Sequence, residues 1–146
     1  MTNDRSKALK SLPVHGSVAA QISHPTGEFK SADIQLHDFP EAVFIDARIS
    51  TEHRMVSFEF AKGTPPGNYD LADNKGKVKV SYYLAQGSTP WTYQPSTGTL
   101  SLTEFNVEDQ QVTATFSFTS EDVPPKEDPL HVTQGELKIG GPGRHA

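Results

Sequence analysis

The stretch from Gly98 to Thr119 (GTLSLTEFNVEDQQVTATFSFT) contains two runs in which apolar residues alternate with hydroxyl residues, joined by a short polar connection. Side chains of a β-strand point alternately to opposite faces, so one face of each run would pack and the other would be wet. In the second run the packed side would carry Val112, Ala114, Phe116 and Phe118. The stretch therefore predicts a β-hairpin, with hydroxyl groups along its solvent side.

Similar alternation recurs along the rest of the chain, in short segments bounded by turn signals. Besides the two runs of the hairpin, the segments are 14–22, 29–37, 43–49, 55–60, 69–71, 78–84 and 130–139. In the last of them Gly135 predicts a bend or bulge. Strands separated by turns at intervals of about 8 to 12 residues are typical of antiparallel sandwiches and barrels. We predict an all-β fold, an antiparallel β-sandwich of about nine strands, with a β-barrel as the alternative.

A chain of 146 residues fits one domain with a single continuous core. Residues 1–13 are polar and end at a proline, which predicts a flexible N-terminal lead-in. Residues 14–139 then form the single β-sandwich domain, and the glycine-containing segment 140–146 predicts a disordered tail.

Composition excludes several classes of function. The net charge of −5 comes without a basic cluster, so we expect no binding to nucleic acid. No apolar run approaches the roughly 18 residues of a membrane span, and the absence of cysteine rules out disulfides and thiolate metal sites. If Met1 is the native start, the charged first segment predicts a cytoplasmic protein, whereas a mature form that begins here would be exported.

Metal and cofactor sites are not indicated. The six histidines occur singly, without the short spacings that bring two onto one metal, and we expect no metal and no cofactor. If residues distant in sequence came together to form a site, the first histidines to consider would be His37, beside Asp38, and His131, near Asp128. Asp70 and Asp73 resemble part of a calcium loop, yet the turn interpretation explains them better.

Catalytic carboxylates are equally hard to find. Glu121, Asp122, Glu127 and Asp128 lie in a proline-rich connection, where solvation accounts for them. Glu104 continues the parity of Leu100 and Leu102 and would face the core if the strand kept its register, although its place at the strand end favours solvent. No Gly-x-Ser-x-Gly elbow occurs, so we predict no catalytic residue.

A binding surface is predicted around the loop 86–97. Trp91 and Tyr93 are two residues apart, follow Tyr83 in sequence, and offer flat apolar area with a polar edge, which is enriched at recognition sites. We predict ligand binding by Trp91, Tyr93 and Tyr83. The alternative is that the aromatic residues of this loop plug one end of the sandwich.

The hydroxyl side of the hairpin permits two interpretations. It consists of Thr99, Ser101, Thr103, Thr113, Thr115 and Ser117. Hydroxyl residues of this kind form strands well and pair across them, which favours an ordinary solvent face. A flat surface for a partner is the other interpretation.

Over its second half, from Gly67 onward, the chain resembles a family of uncharacterised bacterial β-sandwich proteins. The resemblance lies in GNYDL, VSYY, the hairpin runs STGTLSLTEFN and VTATFSFT, and the final VTQGELKI. It implies a β-sandwich, and many such proteins look exported or lipid-anchored. It implies no catalytic residues.

Three functions fit these observations. The preferred one is a non-enzymatic binding or interaction module with a protein or glycan ligand. The second is a small carbohydrate or ester hydrolase, which requires a histidine or Glu104 to converge with another polar group in a cleft. The third is a structural subunit that assembles through an exposed sheet edge.

Overall fold

The computed structural model describes residues 10–23, 27–73, 76–85 and 90–142. Within these ranges the chain forms eleven β-strands and one turn of 3₁₀ helix at Ser50–Glu52. The strands are β1 (Lys10–Ile22), β2 (Glu28–Ser31), β3 (Asp33–Asp38), β4 (Ala42–Ile49), β5 (Arg54–Ala61), β6 (Gly67–Asp70), β7 (Val78–Leu84), β8 (Trp91–Tyr93), β9 (Thr97–Asn106), β10 (Gln111–Ser120) and β11 (Leu130–Pro142). The predicted all-β antiparallel fold is confirmed, and β8 and the separation of β2 from β3 raise the number of strands above nine.

All strands belong to one continuous sheet in the order β6-β9-β10-β11-β1-β3-β4-β5-β7-β8, with β2 paired to β1 beside β3. The sheet curls into a half-barrel, so its two halves face each other across the core. The rings of Phe58 on β5 and Phe116 on β10 are 5.2 Å apart, although four strands separate β5 from β10 in the sheet. The core of this curled sheet thus resembles that of a sandwich.

One face of the sheet, here called the inner face, carries the core. On β5 the inner residues Val56, Phe58 and Phe60 are at most 1% exposed, whereas Ser57 and Glu59 between them are partly exposed. The same alternation holds on β4, β7 and β10. The period-two pattern of the sequence therefore assigned the inner and outer faces of these strands correctly.

The hairpin of β9 and β10 departs from regular pairing at one residue. Ala114 pairs with Leu102, but the next pair is Thr113 with Glu104, so Thr103 is an extra residue in β9. Its hydroxyl donates to the carbonyl oxygen of Thr113 over 3.0 Å. The bulge reverses which side chains of β9 face the core, so Glu104 faces solvent. The core-facing position that an unbroken register would give Glu104 is therefore not the one it has.

The first and last of these strands, β1 and β11, pair with each other and extend somewhat beyond the limits predicted for the domain. Regular structure runs from Lys10 to Pro142, while residues 1–9 and 143–146 lie outside the described ranges. The two strands at the ends of the sheet order, β6 and β8, have four and three residues. Across the described ranges, no helix has the length and apolar character needed to cross a bilayer.

Gly16 allows β1 and β11 to approach closely. It lies where their register shifts, and a Cβ there would overlap the backbone carbonyl oxygen of Lys138. We expect Gly16→Ala to lower the free energy of unfolding by about 1–3 kcal/mol, because the two strands must separate to accept the methyl group. Urea denaturation measures this change.

Gly140→Ala is the matched control, since a Cβ at Gly140 meets nothing within 4 Å. It should leave the free energy of unfolding nearly unchanged. Equal losses in the Gly16 and Gly140 variants would contradict the role assigned to close strand approach.

Candidate functional site

The three residues predicted to bind a ligand lie on the adjacent strands β7 and β8. Trp91 pairs with Leu84 and Tyr93 pairs with Tyr82, whereas Tyr83 pairs with Thr92. Residues paired across two strands share a face, so Trp91 and Tyr93 lie on the inner face and Tyr83 on the outer. The structure brings Trp91 and Tyr93 together and separates Tyr83 from them. Ligand binding by the three residues stays a prediction.

On the inner face the two loop aromatics have partners within the chain. Tyr93 is 2% exposed, and its ring stacks on Tyr82 with centroids 5.7 Å apart. Burial raises the pKa of Tyr93, and Glu127 and Tyr82 add to the effect. The indole Nε1 of Trp91 donates to the carbonyl oxygen of Asp122 over 2.8 Å. Contacts of this kind are those expected of residues that close one end of the fold.

A buried arginine lies beside these aromatics. Arg54 begins β5 on the inner face and is 4% exposed. Its Nε donates to the Tyr82 hydroxyl over 2.9 Å, one terminal nitrogen donates to Glu52 over 2.6 Å, and the other donates to the Glu28 carbonyl over 3.0 Å. The guanidinium also lies over the ring of Phe29, 5.2 Å from its centroid. Since each nitrogen of the guanidinium already donates a hydrogen bond, Arg54 acts as an internal anchor.

Sequence reasoning missed Arg54, although one signal was present. The residue shares the parity of Val56 and Phe58, which places it on the inner side of β5. A charged residue at such a position is either at a strand end near solvent or buried with partners. The sequence does not show that Tyr82, Glu52 and the Glu28 carbonyl lie close enough to be those partners.

The outer face of β4, β5 and β7 contains a pocket that includes Tyr83. Arg48 pairs with Met55 and Met55 pairs with Tyr83, so the three side chains form one row across the strands. This row, with Ser50 and His53 from the connection between β4 and β5, borders a cavity of about 380 Å³, which we call the Tyr83 pocket. Arg54, the first residue of β5, also borders this cavity. Met55 and Tyr83 are half-buried here, on a face that is otherwise largely polar.

The charges around the Tyr83 pocket leave one cation accessible. Arg48 lies 3.7 Å from Asp33, and both side chains are about half exposed. A pair of this kind is screened by water and adds little stability, so the guanidinium can exchange Asp33 for another anion. His53 has a left-handed backbone conformation and is fixed by hydrogen bonds from its N–H to Ser50 and from Ala85 to its carbonyl oxygen. The pocket thus combines apolar walls with one accessible guanidinium.

A second polar cluster on the outer face bears on the hydrolase alternative. Asp46 accepts a hydrogen bond from the Ser57 hydroxyl over 2.9 Å, and its other oxygen lies 3.3 Å from Nε2 of His37. In a Ser-His-Asp triad the histidine lies between the other two and takes the proton of the serine. Here the carboxylate lies between the serine and the histidine. This order of contacts does not activate Ser57 as a nucleophile.

Among the other histidines, His131 contacts the strand next to its own. Nδ1 of His131 lies 3.0 Å from the Thr119 hydroxyl, while His24 and His145 fall outside the described ranges. Among the described residues no three metal-binding side chains converge. Asp70 accepts a hydrogen bond from the N–H of Ala72, which is the geometry of a local turn.

No curated protein and no solved structure matches the chain. One family model does match, over residues 28–138, and this segment runs from β2 into β11 and includes the whole Tyr83 pocket. The match also reaches farther toward the first strands than the resemblance noted from Gly67 onward. The chain belongs to the family described as Domain of unknown function (DUF6252).

Proposed function

We propose that this protein is a non-enzymatic binding domain and that the Tyr83 pocket holds its ligand. The observation that carries the proposal is the half-buried pair of Met55 and Tyr83 on the outer face, bordering a cavity of about 380 Å³. Cavities of about 300–1,000 Å³ with apolar walls and a few polar groups are the usual form of small-molecule sites. Tyr83 thereby keeps the binding role that the sequence suggested for it.

The chemistry of the walls specifies the kind of ligand. Tyr83 offers a flat face for stacking, and Met55 adapts its shape to an apolar group. The Arg48 guanidinium can donate two parallel hydrogen bonds to a carboxylate. A ligand with a flat apolar body and a carboxylate fits both features, and we propose a small aromatic acid.

The two alternatives have weaker support. The order of Ser57, Asp46 and His37 does not suit hydrolysis by a triad. Assembly through a sheet edge favours a long exposed strand, whereas β6 and β8 have four and three residues. Neither feature bears on the Tyr83 pocket.

The test uses 2-naphthoate as the probe and the amide signals of the whole chain, followed by NMR. We expect saturable shifts at the amides around Met55 and Tyr83, and at least a tenfold weaker affinity in Tyr83→Ala because the stacking face is lost. Arg48→Gln should weaken binding of 2-naphthoate but not of the neutral 2-naphthylmethanol. Circular dichroism verifies that each variant is folded.

Trp91→Ala is the control that separates the two faces of the sheet. Its affinity for 2-naphthoate should match that of the unchanged protein, since Trp91 lies on the inner face. The proposal fails if 2-naphthoate gives no saturable shift up to its solubility limit. It also fails if Trp91→Ala abolishes binding and Tyr83→Ala does not.

A further inference from the structure

The opposite half of the sheet carries a larger and chemically different concavity on its outer face. It measures about 650 Å³ and extends across β9, β10, β11, β1 and β2. Its sides include the hydroxyls of the hairpin together with amide and carboxyl groups of β1 and β11. We call it the hydroxyl groove and define it by Gln21, Thr99, Ser101, Thr115, Ser117 and Glu136.

The shape of the hydroxyl groove has a cause in the pairing of its strands. Near Gln134, β11 has one extra residue relative to each of its neighbours. The register shifts between Phe116 and Phe118 of β10 and between Ala19 and Gln21 of β1. An extra residue of this kind bends a strand and increases its twist. The bulge predicted at Gly135 is thus confirmed, and it lies in the wall of the groove.

Hydroxyl groups are arranged in register along the groove. Thr115 pairs with Ser101, and Ser117 pairs with Thr99, so two hydroxyl pairs lie one above the other on the outer face. These strands are interior to the sheet, and each is hydrogen-bonded on both sides. The hydroxyls therefore have fixed spacing before any ligand arrives, which lowers the entropic cost of binding.

Most of these hydroxyls make no hydrogen bond to another described residue. Among the described residues, the hydroxyls of Thr99, Thr115 and Ser117 have no hydrogen-bond partner, while Ser101 donates to the Asn68 side chain over 2.6 Å. The outer face of β4 and β5 differs, since there Asp46 is shared by two side chains. The hydroxyl groove thus presents an array of donors and acceptors to solvent.

The charges in and around the groove balance. The carboxylates of Glu28 and Glu136 line the groove. Lys30 and Glu136 pair with Ala19 from opposite sides, so Lys30 lies in the same row across the strands as Glu136. Lys138 is the next outward-facing residue after Glu136 on β11. Two carboxylates are thus offset by two ammonium groups. A strongly cationic or anionic partner gains little from this balance.

We infer that the hydroxyl groove binds a neutral oligosaccharide. Sugar hydroxyls both donate and accept, and they match a surface of hydroxyl, amide and carboxylate groups whose hydrogen bonds would otherwise go to water. Five strands give four spacings, about 19 Å in all, which is the length of a short oligosaccharide rather than of a single sugar. The groove is separate from the Tyr83 pocket, so this inference does not depend on the proposed function.

The test titrates the whole chain with maltotetraose, cellotetraose and mannotetraose and follows amide signals by NMR. We expect at least one of them to give saturable shifts at Thr99, Ser101, Thr115 and Ser117. Thr115→Val removes one hydroxyl but keeps the shape and the strand preference, and it should weaken binding at least threefold. Thr92→Val is the matched control on β8, outside the groove, and its affinity should not change.

Four results would overturn the inference. One is the absence of saturable shifts with all three tetrasaccharides. Another is equal weakening by the Thr115 and Thr92 variants. The third is saturable binding of tetralysine, but of no tetrasaccharide, at the same amides, which would identify a cation site. Shifts confined to the region of Tyr83 would likewise count against the hydroxyl groove.

Discussion

Phe58→Ala is expected to lower the free energy of unfolding by about 3–5 kcal/mol, the range typical for removing a fully buried aromatic side chain. Phe58 is 1% exposed. Its ring stacks on Phe60 with centroids 6.3 Å apart and makes a T-shaped contact with Phe116, with centroids 5.2 Å apart. The second contact joins the two halves of the sheet, so the cavity would open at their interface, where neighbours can collapse only by moving strands. Urea denaturation followed by circular dichroism measures the loss.

Phe44→Ala gives a control with the same chemistry on the adjacent strand. Phe44 lies on the outer face of β4, is half-buried, and contacts the ring of Phe39 at 5.2 Å. We expect its replacement to cost about 1 kcal/mol, because less apolar area is removed from water there. Similar losses for the two variants would show that the curled sheet does not have the core described above.

Arg54→Ala is expected to lower the free energy of unfolding by about 3–4 kcal/mol, from lost packing and lost charge-assisted hydrogen bonds. The side chain of Arg54 is 3% exposed and fills the space between Phe29 and Tyr82. Removing it leaves the Glu28 carbonyl oxygen without this donor. The half-exposed Glu52 can return to water, which limits the total loss.

Arg48→Ala is the matched control on the preceding strand. Its side chain is 45% exposed, and its guanidinium is paired only loosely with Asp33. The expected loss is about 0–1 kcal/mol, as for other exposed ion pairs. Arg54→Met separates packing from charge, since it restores much of the volume and should recover part of the stability. A loss in Arg54→Ala no larger than in Arg48→Ala would contradict the anchoring role.

Strand faces could be predicted from the sequence because they depend only on alternation. The inner positions of β4, β5, β7 and β10 follow directly from apolar residues at every second position. The alternation does not predict where a strand gains a residue. Thr103 is such a residue, and Glu104 therefore faces the side opposite to the one that an unbroken register gives.

The candidate sites depended on information that a single sequence does not contain. Trp91, Tyr93 and Tyr83 look like one group because they are close in sequence, yet the pairing of β7 with β8 places Tyr83 on the other face. Met55 and Arg48 join Tyr83 only through the register of three strands. Register is set by long-range pairing, and local patterns do not encode it directly.

The pairing of β1 with β11 also has a consequence for how the protein is made. The N–H of His131 donates to the Ser23 hydroxyl across 108 positions of sequence, and Val18 pairs with Leu137. A ribosome releases β1 long before it has synthesised β11, so during translation one side of β1 has no partner strand. Hairpins such as β4 and β5 join neighbouring segments and can form early, whereas the two halves of the sheet can unite only after β11 emerges. Synthesis of β11 thus completes the sheet, and until then the edge of β1 is open to misplaced pairing.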